Sequence, residues 1–263
     1  MLILNFRKKQ IMLKKLLLLS LCCGFILSSE AQNMRRILKK RTAEACVNGS
    51  VGYYGNPHWS AGANIHYLHG IGRKKQWFSI GGGLRALAFS TKKRSYNTSS
   101  YDLKALNVGG ADTVYMPEVQ TNTLNAYIAM KLHIKRGVDI FFTTDIAGIN
   151  FGDSKSGYFR SYETDPIPPG TKVRSEPYAF NYNGGYFTES YGSIMSELYG
   201  SFRLNEVLKW RLGLNYYRNE YKMDRNIPMN GKRFSQGHFM VMTGLAFDIR
   251  WHKTVEQSRY LLY

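Results

Sequence analysis

The most constraining feature of this sequence is an alternation of apolar and polar residues with a period of two. It is clearest near the C-terminus, where one set of alternate residues is largely apolar: Phe239, Val241, Thr243, Leu245, Phe247, Ile249 and Trp251. The intervening set is more polar or small: His238, Met240, Met242, Gly244, Ala246, Asp248 and Arg250. Successive side chains of a β-strand point to opposite faces, so this pattern predicts a strand with one apolar face.

The same alternation recurs along the chain and predicts an all-β fold. The predicted strands cover 46–54, 58–68, 76–89, 124–134, 138–146, 192–204, 210–217 and 238–251. An even number of antiparallel strands can close on itself, so we predict a closed antiparallel up-and-down transmembrane β-barrel of about eight strands. A further hairpin within 172–191, around Asn183-Gly184-Gly185, would raise the number to ten.

The connections between these strands alternate in length. Short connections lie at 69–75, 135–137 and 204–208, whereas long ones lie at 90–121, 150–190 and 222–236. Membrane barrels have short periplasmic turns and longer outer loops, and aromatic residues fall near both ends of the predicted strands, as membrane interfaces favour. A soluble β-sandwich is the competing fold, because it would bury the apolar face against a second sheet.

The N-terminus predicts export. Lys14 and Lys15 precede an apolar run over 16–27, and Ser29-Glu30-Ala31 supplies small residues where a signal peptidase cleaves. We therefore predict a cleaved signal peptide over 1–31, with Met12 as a possible true start. A short basic periplasmic segment (32–45), the outer-membrane barrel (46–251) and a C-terminal tail (252–263) follow.

Charge and cysteine content exclude several classes of function. About half of the formal net charge of +18 lies in residues 1–41, so an exported chain of this kind is expected to meet anionic lipid headgroups and no nucleic acid. Only Cys46 follows the predicted leader, which rules out an internal disulfide in the exported chain. The six His show no spacing typical of metal ligands, so no metal or cofactor is expected.

The last predicted strand carries a motif as well as a pattern. Gly244, followed by Phe247 and Ile249, resembles the terminal-strand signal of small outer-membrane β-barrel proteins of Gram-negative bacteria. The sequence departs from that signal at Met242, where a polar residue is usual, and in its tail, which ends at Tyr263. The resemblance implies the cell outer membrane, surrounding lipid and lipopolysaccharide as partners, and the barrel-assembly machinery during biogenesis.

The inward faces of the predicted strands are highly charged for a narrow barrel. The predicted lumen network consists of Arg85, Lys131, His133, Asp139, Asp145, Glu197, Arg203, Arg211, Asp248 and Arg250. An eight-stranded barrel encloses little more than its own side chains, and isolated buried charges are costly. We therefore favour a salt-bridged filling over a path for ions or solutes.

A catalytic alternative rests on few residues. His58 and Ser60 lie two apart on one predicted strand, and with a carboxylate such as Glu197 they could form the catalytic set of a lipid hydrolase. The pair is distantly similar to that of barrel lipid deacylases, but Ala61 stands where those enzymes have an Asn after the serine. We expect no enzyme activity.

A glycine-rich stretch formally fits a dinucleotide-binding pattern. Gly81-Gly82-Gly83-Leu84-Arg85-Ala86 has the spacing, but no amphipathic helix follows it, as such a site requires. Glycines that allow strands to bend and interior side chains to pack explain it better.

The expected function is therefore non-enzymatic. An integral outer-membrane barrel would present its long loops, 90–121 and 150–190, for surface binding or for membrane integrity, and a protein or glycan partner would meet it there. A small-solute pore is the first alternative and a barrel lipid hydrolase the second.

Overall fold

The computed structural model describes residues 41–71, 77–99, 102, 111–135, 137–160, 170–185, 189–224 and 232–249. The predicted leader, residues 32–40 of the basic segment, Arg250, Trp251 and the tail lie outside these ranges. Among the described residues, no helix is long and apolar enough to cross a membrane.

The described chain forms eleven β-strands, all of whose pairings are antiparallel. In chain order they are β1 (Arg41–Tyr54), β2 (Asn56–Ile71), β3 (Phe78–Thr98), β4 (Thr113–Lys135), β5 (Val138–Phe151), β6 (Lys155–Arg160), β7 (Lys172–Pro177), β8 (Phe180–Tyr182), β9 (Ile194–Arg203), β10 (Leu208–Met223) and β11 (Arg233–Ile249). β1 thus begins at Arg41, within the segment that was predicted to precede the barrel.

Eight of these strands close into a ring. The order around it is β1, β2, β3, β4, β5, β9, β10 and β11, and β11 pairs back onto β1 through Ala43↔Ile249 to Val51↔Val241. The predicted eight-stranded barrel is confirmed. The ten-stranded alternative is wrong, because the predicted hairpin within 172–191 forms β7 and β8, which stay outside this ring.

The outer surface of the ring is apolar over a continuous band. Large apolar side chains point outward and are exposed on every strand, for example Val47, Ile65, Leu84, Ile128, Ile140, Leu198, Leu214 and Phe247. Aromatic side chains flank the band, with Tyr67 near one end and Trp59 and Phe239 near the other, all of them exposed. Such a band suits hydrocarbon, where closure of the ring also satisfies every strand edge.

A second, smaller ring continues the first at the end away from Arg41 and Ile249, which is the end predicted to face outward. β3 meets β11 through Phe234↔Thr98, β4 meets β6 through Thr113↔Arg160, and β7 meets β10 through Tyr221↔Pro177. Together with the pairs β3–β4, β6–β7 and β10–β11, these contacts close six strands. We call this part the outer extension.

The outer extension reverses the polarity of the barrel below it. Its inward side chains are apolar and buried together: Tyr96, Val114, Met116, Val119, Phe159, Val173, Tyr221, Met223 and Phe234. Its outward side chains are mainly polar or charged. The prediction of long loops at 90–121, 150–190 and 222–236 is therefore wrong over much of their length, because β3, β4, β10 and β11 continue into them and β6 to β8 form within them.

On both β3 and β4, the alternation of inward and outward residues shifts by one position where the interior changes from charged to apolar. On β3, Thr91 and Arg94 are both buried, and Lys93 between them has a positive φ of 52°. On β4, Met116 and Val119 are both buried across the exposed Pro117 and Glu118. Proline cannot donate a ladder hydrogen bond, and a positive φ is unusual for lysine. The two residues therefore mark a bulge-like interruption in each strand, after which the other set of alternate side chains points inward.

An ionic clamp fastens the edge of the extension. Asp102 accepts hydrogen bonds from the backbone nitrogen of Arg233 at 2.9 Å and from its Nε at 3.0 Å. Glu220 lies 3.4 Å from the same Nε and 3.1 Å from Nη2 of Arg218. The clamp ties Asp102, four residues beyond the end of β3, to the β10–β11 hairpin.

Candidate functional site: the filled barrel interior

The lower part of the barrel interior is organised around one carboxylate. Glu44, on β1, is fully buried and accepts hydrogen bonds from Nζ of Lys209 at 2.7 Å and from Nη2 of Arg211 at 3.0 Å. Lys209 also contacts Asp248 at 2.5 Å, and Nε2 of His66 lies 3.6 Å from Glu44. Side chains from β1, β2, β10 and β11 thus meet in the middle of the barrel.

A layer of aromatic rings lies above this cluster. Phe141 and Tyr199 stack with ring centroids 5.0 Å apart and an interplanar angle of 8°. The guanidinium carbon of Arg211 sits 4.7 Å from the centroid of Tyr199, and that of Arg85 sits 4.7 Å from the centroid of Tyr127. The rings cover the flat faces of the two guanidinium groups while their edges bind carboxylates.

The central part of the interior contains a second charge cluster. Arg85 donates from Nη1 to Asp145 at 2.7 Å, from Nη2 to Glu197 at 2.7 Å and from Nη2 to the Thr143 hydroxyl at 2.7 Å. Asn125 donates to the other oxygen of Asp145 at 2.7 Å. Buried charges are tolerated when each is paired and hydrogen-bonded in this way.

The remaining predicted network residues lie toward the end of the barrel opposite the extension. His133 contacts Asp139 directly, and Arg203 lies 3.9 Å from Asp248. Lys131 is half-buried and faces inward by strand alternation, between the inward residues Ala129 and His133. Arg250 lies outside the described residues.

Two members of the interior network were missed by the sequence analysis. Glu44 and Lys209 alternate with the inward residues Cys46 and Arg211, but the predicted strands began at 46 and 210. Together with the described residues of the predicted network, they make five carboxylates and five Lys or Arg side chains. The acids are Glu44, Asp139, Asp145, Glu197 and Asp248, and the bases are Arg85, Lys131, Arg203, Lys209 and Arg211.

The described residues enclose one small polar space between these clusters. A polar cavity of about 10 Å³ lies beside Arg85 and Glu197 and is lined by Ser60, Asn64 and Asn215. That volume accommodates about one water molecule. The buried Ser60 hydroxyl and the Asn64 and Asn215 amide oxygens have no protein hydrogen-bond partner among the described residues, so a water there would satisfy them.

The residues of the hydrolase hypothesis are not brought together as a catalytic set. Ser60 and Glu197 border the same small cavity. His58 instead accepts at Nδ1 from Nη2 of Arg94 at 2.9 Å, and its Nε2 donates to the Phe239 carbonyl oxygen at 3.1 Å. Both ring nitrogens are occupied, and among the residues that the structure describes Ser60 has no bond to a base that would activate it.

Two other expectations from the sequence concern glycines and metals. A Cβ placed on Gly81 would lie 1.8 Å from the Tyr67 carbonyl oxygen, so the glycine is required by the close approach of β2 to β3. This agrees with a structural role for the glycine-rich stretch. The described residues contain no group of three His, Cys, Asp or Glu side chains placed to hold a metal ion.

The closed ring, its apolar exterior and its charge-paired interior together define the class of fold: an outer-membrane β-barrel of eight strands, four of which continue beyond the ring and join β6 and β7 in the extension. No family model matches the sequence, and no curated protein matches it.

Solved structures with similar folds are themselves outer-membrane barrels. Neisserial surface protein A aligns with a TM-score of 0.37 and 8% identity, covering 80% of this chain and 98% of its own. Ail of Yersinia pestis aligns with a TM-score of 0.33 and 10% identity, covering 81% and 100%. The Pseudomonas putida toluene transporter TodX aligns with a TM-score of 0.25 and 6% identity, covering 81% and 90%. Similarities this low carry no argument about function.

Proposed function

We propose that this chain is a non-conducting, non-enzymatic protein of the outer membrane, whose barrel anchors a rigid outer extension for binding at the cell surface. The observation that carries the proposal is that the membrane ring and the extension are both filled, each in a different way. The lipid-facing ring is filled by paired charges, and the extension above it is filled by an apolar core. A binding surface on two packed rings loses little conformational entropy when a partner binds.

The filled interior argues against the pore alternative. Ions or solutes would have to displace Arg85 or Glu44 from their partners and then pass the apolar core around Phe159 and Phe234. Breaking one buried ion pair costs about 3–5 kcal/mol, which makes spontaneous opening rare. The described parts of the predicted long loops, which could have framed an open mouth, belong largely to the strands of the extension instead.

The hydrolase alternative is weakened by the same geometry. His58 is held by Arg94 and by a backbone carbonyl oxygen, and Ser60 faces a cavity with room for about one water molecule. An acyl chain has no place beside that hydroxyl. A membrane-facing serine with an adjacent base would be needed for lipid hydrolysis.

Surrounding lipid and lipopolysaccharide, and the barrel-assembly machinery during biogenesis, remain proposed partners. The apolar band supports the first, since only an acyl environment suits so many exposed large side chains. Outward Phe247 and Ile249, with inward Gly244 between Asn48 and Arg211, support recognition of β11 by the assembly machinery.

Two measurements on one purified preparation test the proposal. Migration on a gel without boiling should be faster than after boiling, because the closed barrel resists detergent, and planar bilayers containing the same protein should remain electrically closed. Steady single-channel conductance, or unchanged migration together with recovery from the soluble periplasm, would overturn it. Overexpression should also leave lipid A acylation identical to that of a His58→Ala strain.

A further inference from the structure

One outward face of the outer extension combines aromatic and basic side chains in register. Tyr115 of β4 pairs with Tyr158 of β6, and Tyr158 pairs with Lys172 of β7. Directly paired residues of antiparallel strands share a face and lie about 5 Å apart, so the three side chains form a row. Tyr115 is 37% exposed and Tyr158 is 48% exposed, and Lys172 is exposed as well.

Two arginines complete this face. Arg160 follows Tyr158 by two residues on β6, and Arg174 follows Lys172 by two residues on β7, so both share the outward side. Nε and Nη2 of Arg174 donate to the Ser154 hydroxyl at 2.8 and 2.6 Å. Within the described residues, no salt bridge joins any of these three bases to a carboxylate. We call the five residues the Tyr–Lys–Arg face: Tyr115, Tyr158, Arg160, Lys172 and Arg174.

The height of this face above the membrane restricts its ligand. On β4 the outward apolar residue of the membrane band nearest to the extension is Leu124. Tyr115 lies nine residues before it in sequence, farther from the band on the same strand. At about 3.3 Å per residue and a tilt of about 40°, Tyr115 stands roughly 20 Å above Leu124. Phospholipid headgroups extend only about 5–8 Å beyond the hydrocarbon. A ligand attached to the membrane must therefore have a longer headgroup.

We propose that the Tyr–Lys–Arg face binds the phosphorylated sugars of an outer-leaflet glycolipid. The inference rests on the proposed function, since it requires the barrel to lie in a membrane with this face outward. Two tyrosine rings side by side offer a flat amphipathic surface for sugar rings, and Lys172, Arg160 and Arg174 supply the donors that bind phosphate. Rigid attachment to β4, β6 and β7 keeps the donors in place before binding.

The proposal is tested by titrating the full chain in nanodiscs with a defined soluble probe. The probe is the deacylated, phosphorylated core oligosaccharide of lipopolysaccharide, compared with the same oligosaccharide after phosphatase treatment, with inorganic phosphate and with glycerol phosphate. The double variant Lys172→Gln, Arg174→Gln should weaken binding of the phosphorylated probe by at least about tenfold. Tyr158→Ala should weaken binding of the phosphorylated and dephosphorylated probes alike.

A matched control lies on the same extension. Lys222, on β10, is exposed and pairs in register with Glu176, so Lys222→Gln removes one positive charge outside the Tyr–Lys–Arg face and should leave affinity unchanged. Equal binding of the dephosphorylated oligosaccharide, equal binding of glycerol phosphate, or a loss in Lys222→Gln as large as in the double variant would overturn the assignment. Heat-shifted migration and closed bilayers, measured on the same samples, show separately whether the proposed function itself has failed.

Discussion

Glu44 and Lys209 meet inside the barrel at 2.7 Å, although the strands that carry them, β1 and β10, are separated in the wall by β11. Both side chains are almost completely buried. The pair therefore crosses the interior behind a whole strand and fixes the distance between two nonadjacent parts of the wall. Arg211 and His66 join it from two sides, so the ring is braced internally as well as by its hydrogen-bond ladders.

Replacement of Glu44 by Gln should destabilise the barrel strongly. The change removes the charge that faces Lys209 and Arg211, and leaving buried charges uncompensated costs about 3–5 kcal/mol. Urea unfolding of the protein refolded in vesicles should show this loss of free energy. The control is Asp153→Asn, an exposed acid between β5 and β6, which should change stability by less than about 0.5 kcal/mol. Equal stabilities of the two variants would contradict a bracing role for Glu44.

Replacement of Arg85 by Lys should show that geometry matters as well as charge. Arg85 reaches Asp145 with one terminal nitrogen and Glu197 with the other, each at 2.7 Å, and a single ammonium cannot reproduce this fork. We expect a loss of about 1.5–3 kcal/mol, the value of a hydrogen bond to a charged group. The measurement is again urea unfolding, and a lysine variant as stable as the original would show that the cluster needs only a positive charge.

Replacement of Phe159 by Ala should loosen the outer extension and leave the membrane ring intact. Phe159 is fully buried in the apolar core, and truncation of such a side chain costs about 3–5 kcal/mol. Trypsin should then cleave after Lys155, Arg160, Lys172 or Arg174 much faster, whereas the heat-dependent shift in gel migration should persist. Tyr158→Ala, which alters the exposed neighbour, should not accelerate cleavage. Loss of the shift in Phe159→Ala would mean that the two rings fold as one unit.

The eight ring strands could be predicted because lipid imposes one rule on all of them. Outward positions between the two interfaces must be mainly apolar, and this produces the period-two pattern seen in Phe239 to Phe247 or Leu124 to Leu132. The same alternation predicted which charged side chains point inward, apart from Glu44 and Lys209. Glu44 lies among small residues beyond Val47, the last large outward residue of β1, and Lys209 lies one residue before Trp210, where the predicted strand began.

The outer extension could not be predicted by that rule because it stands in water. In the extension the apolar side chains, such as Tyr96, Val114 and Met116, point inward and the polar ones point outward, which is the opposite of the membrane ring. The irregularities at Lys93 and Pro117 separate the two alternations. A similar irregularity affects β5, where the register shifts between Asp145 and Ala147. Strict alternation from the inward Asp145 would place Ala147 inward, but Ala147 is exposed on the outer face. The position of such a bulge cannot be predicted from the local sequence.

The thiol of Cys46 provides a direct test of whether the interior is closed. It is 3% exposed and faces inward two residues after Glu44, so a reagent can reach it only through the lumen or after unfolding. In a chain carrying Cys22→Ser and Cys23→Ser, we expect a small charged thiosulfonate to leave Cys46 unmodified in folded barrels and to modify it fully in urea, as mass spectrometry would show.

Ser156→Cys, on the exposed face of β6, is the control and should react at once in the folded protein. A folded barrel open to solutes would allow rapid labelling of Cys46 while keeping its heat-dependent migration, and that combination would contradict the filled interior. Glu44→Gln should lie between these limits, because weakened bracing lets the barrel open more often and exposes the thiol for longer.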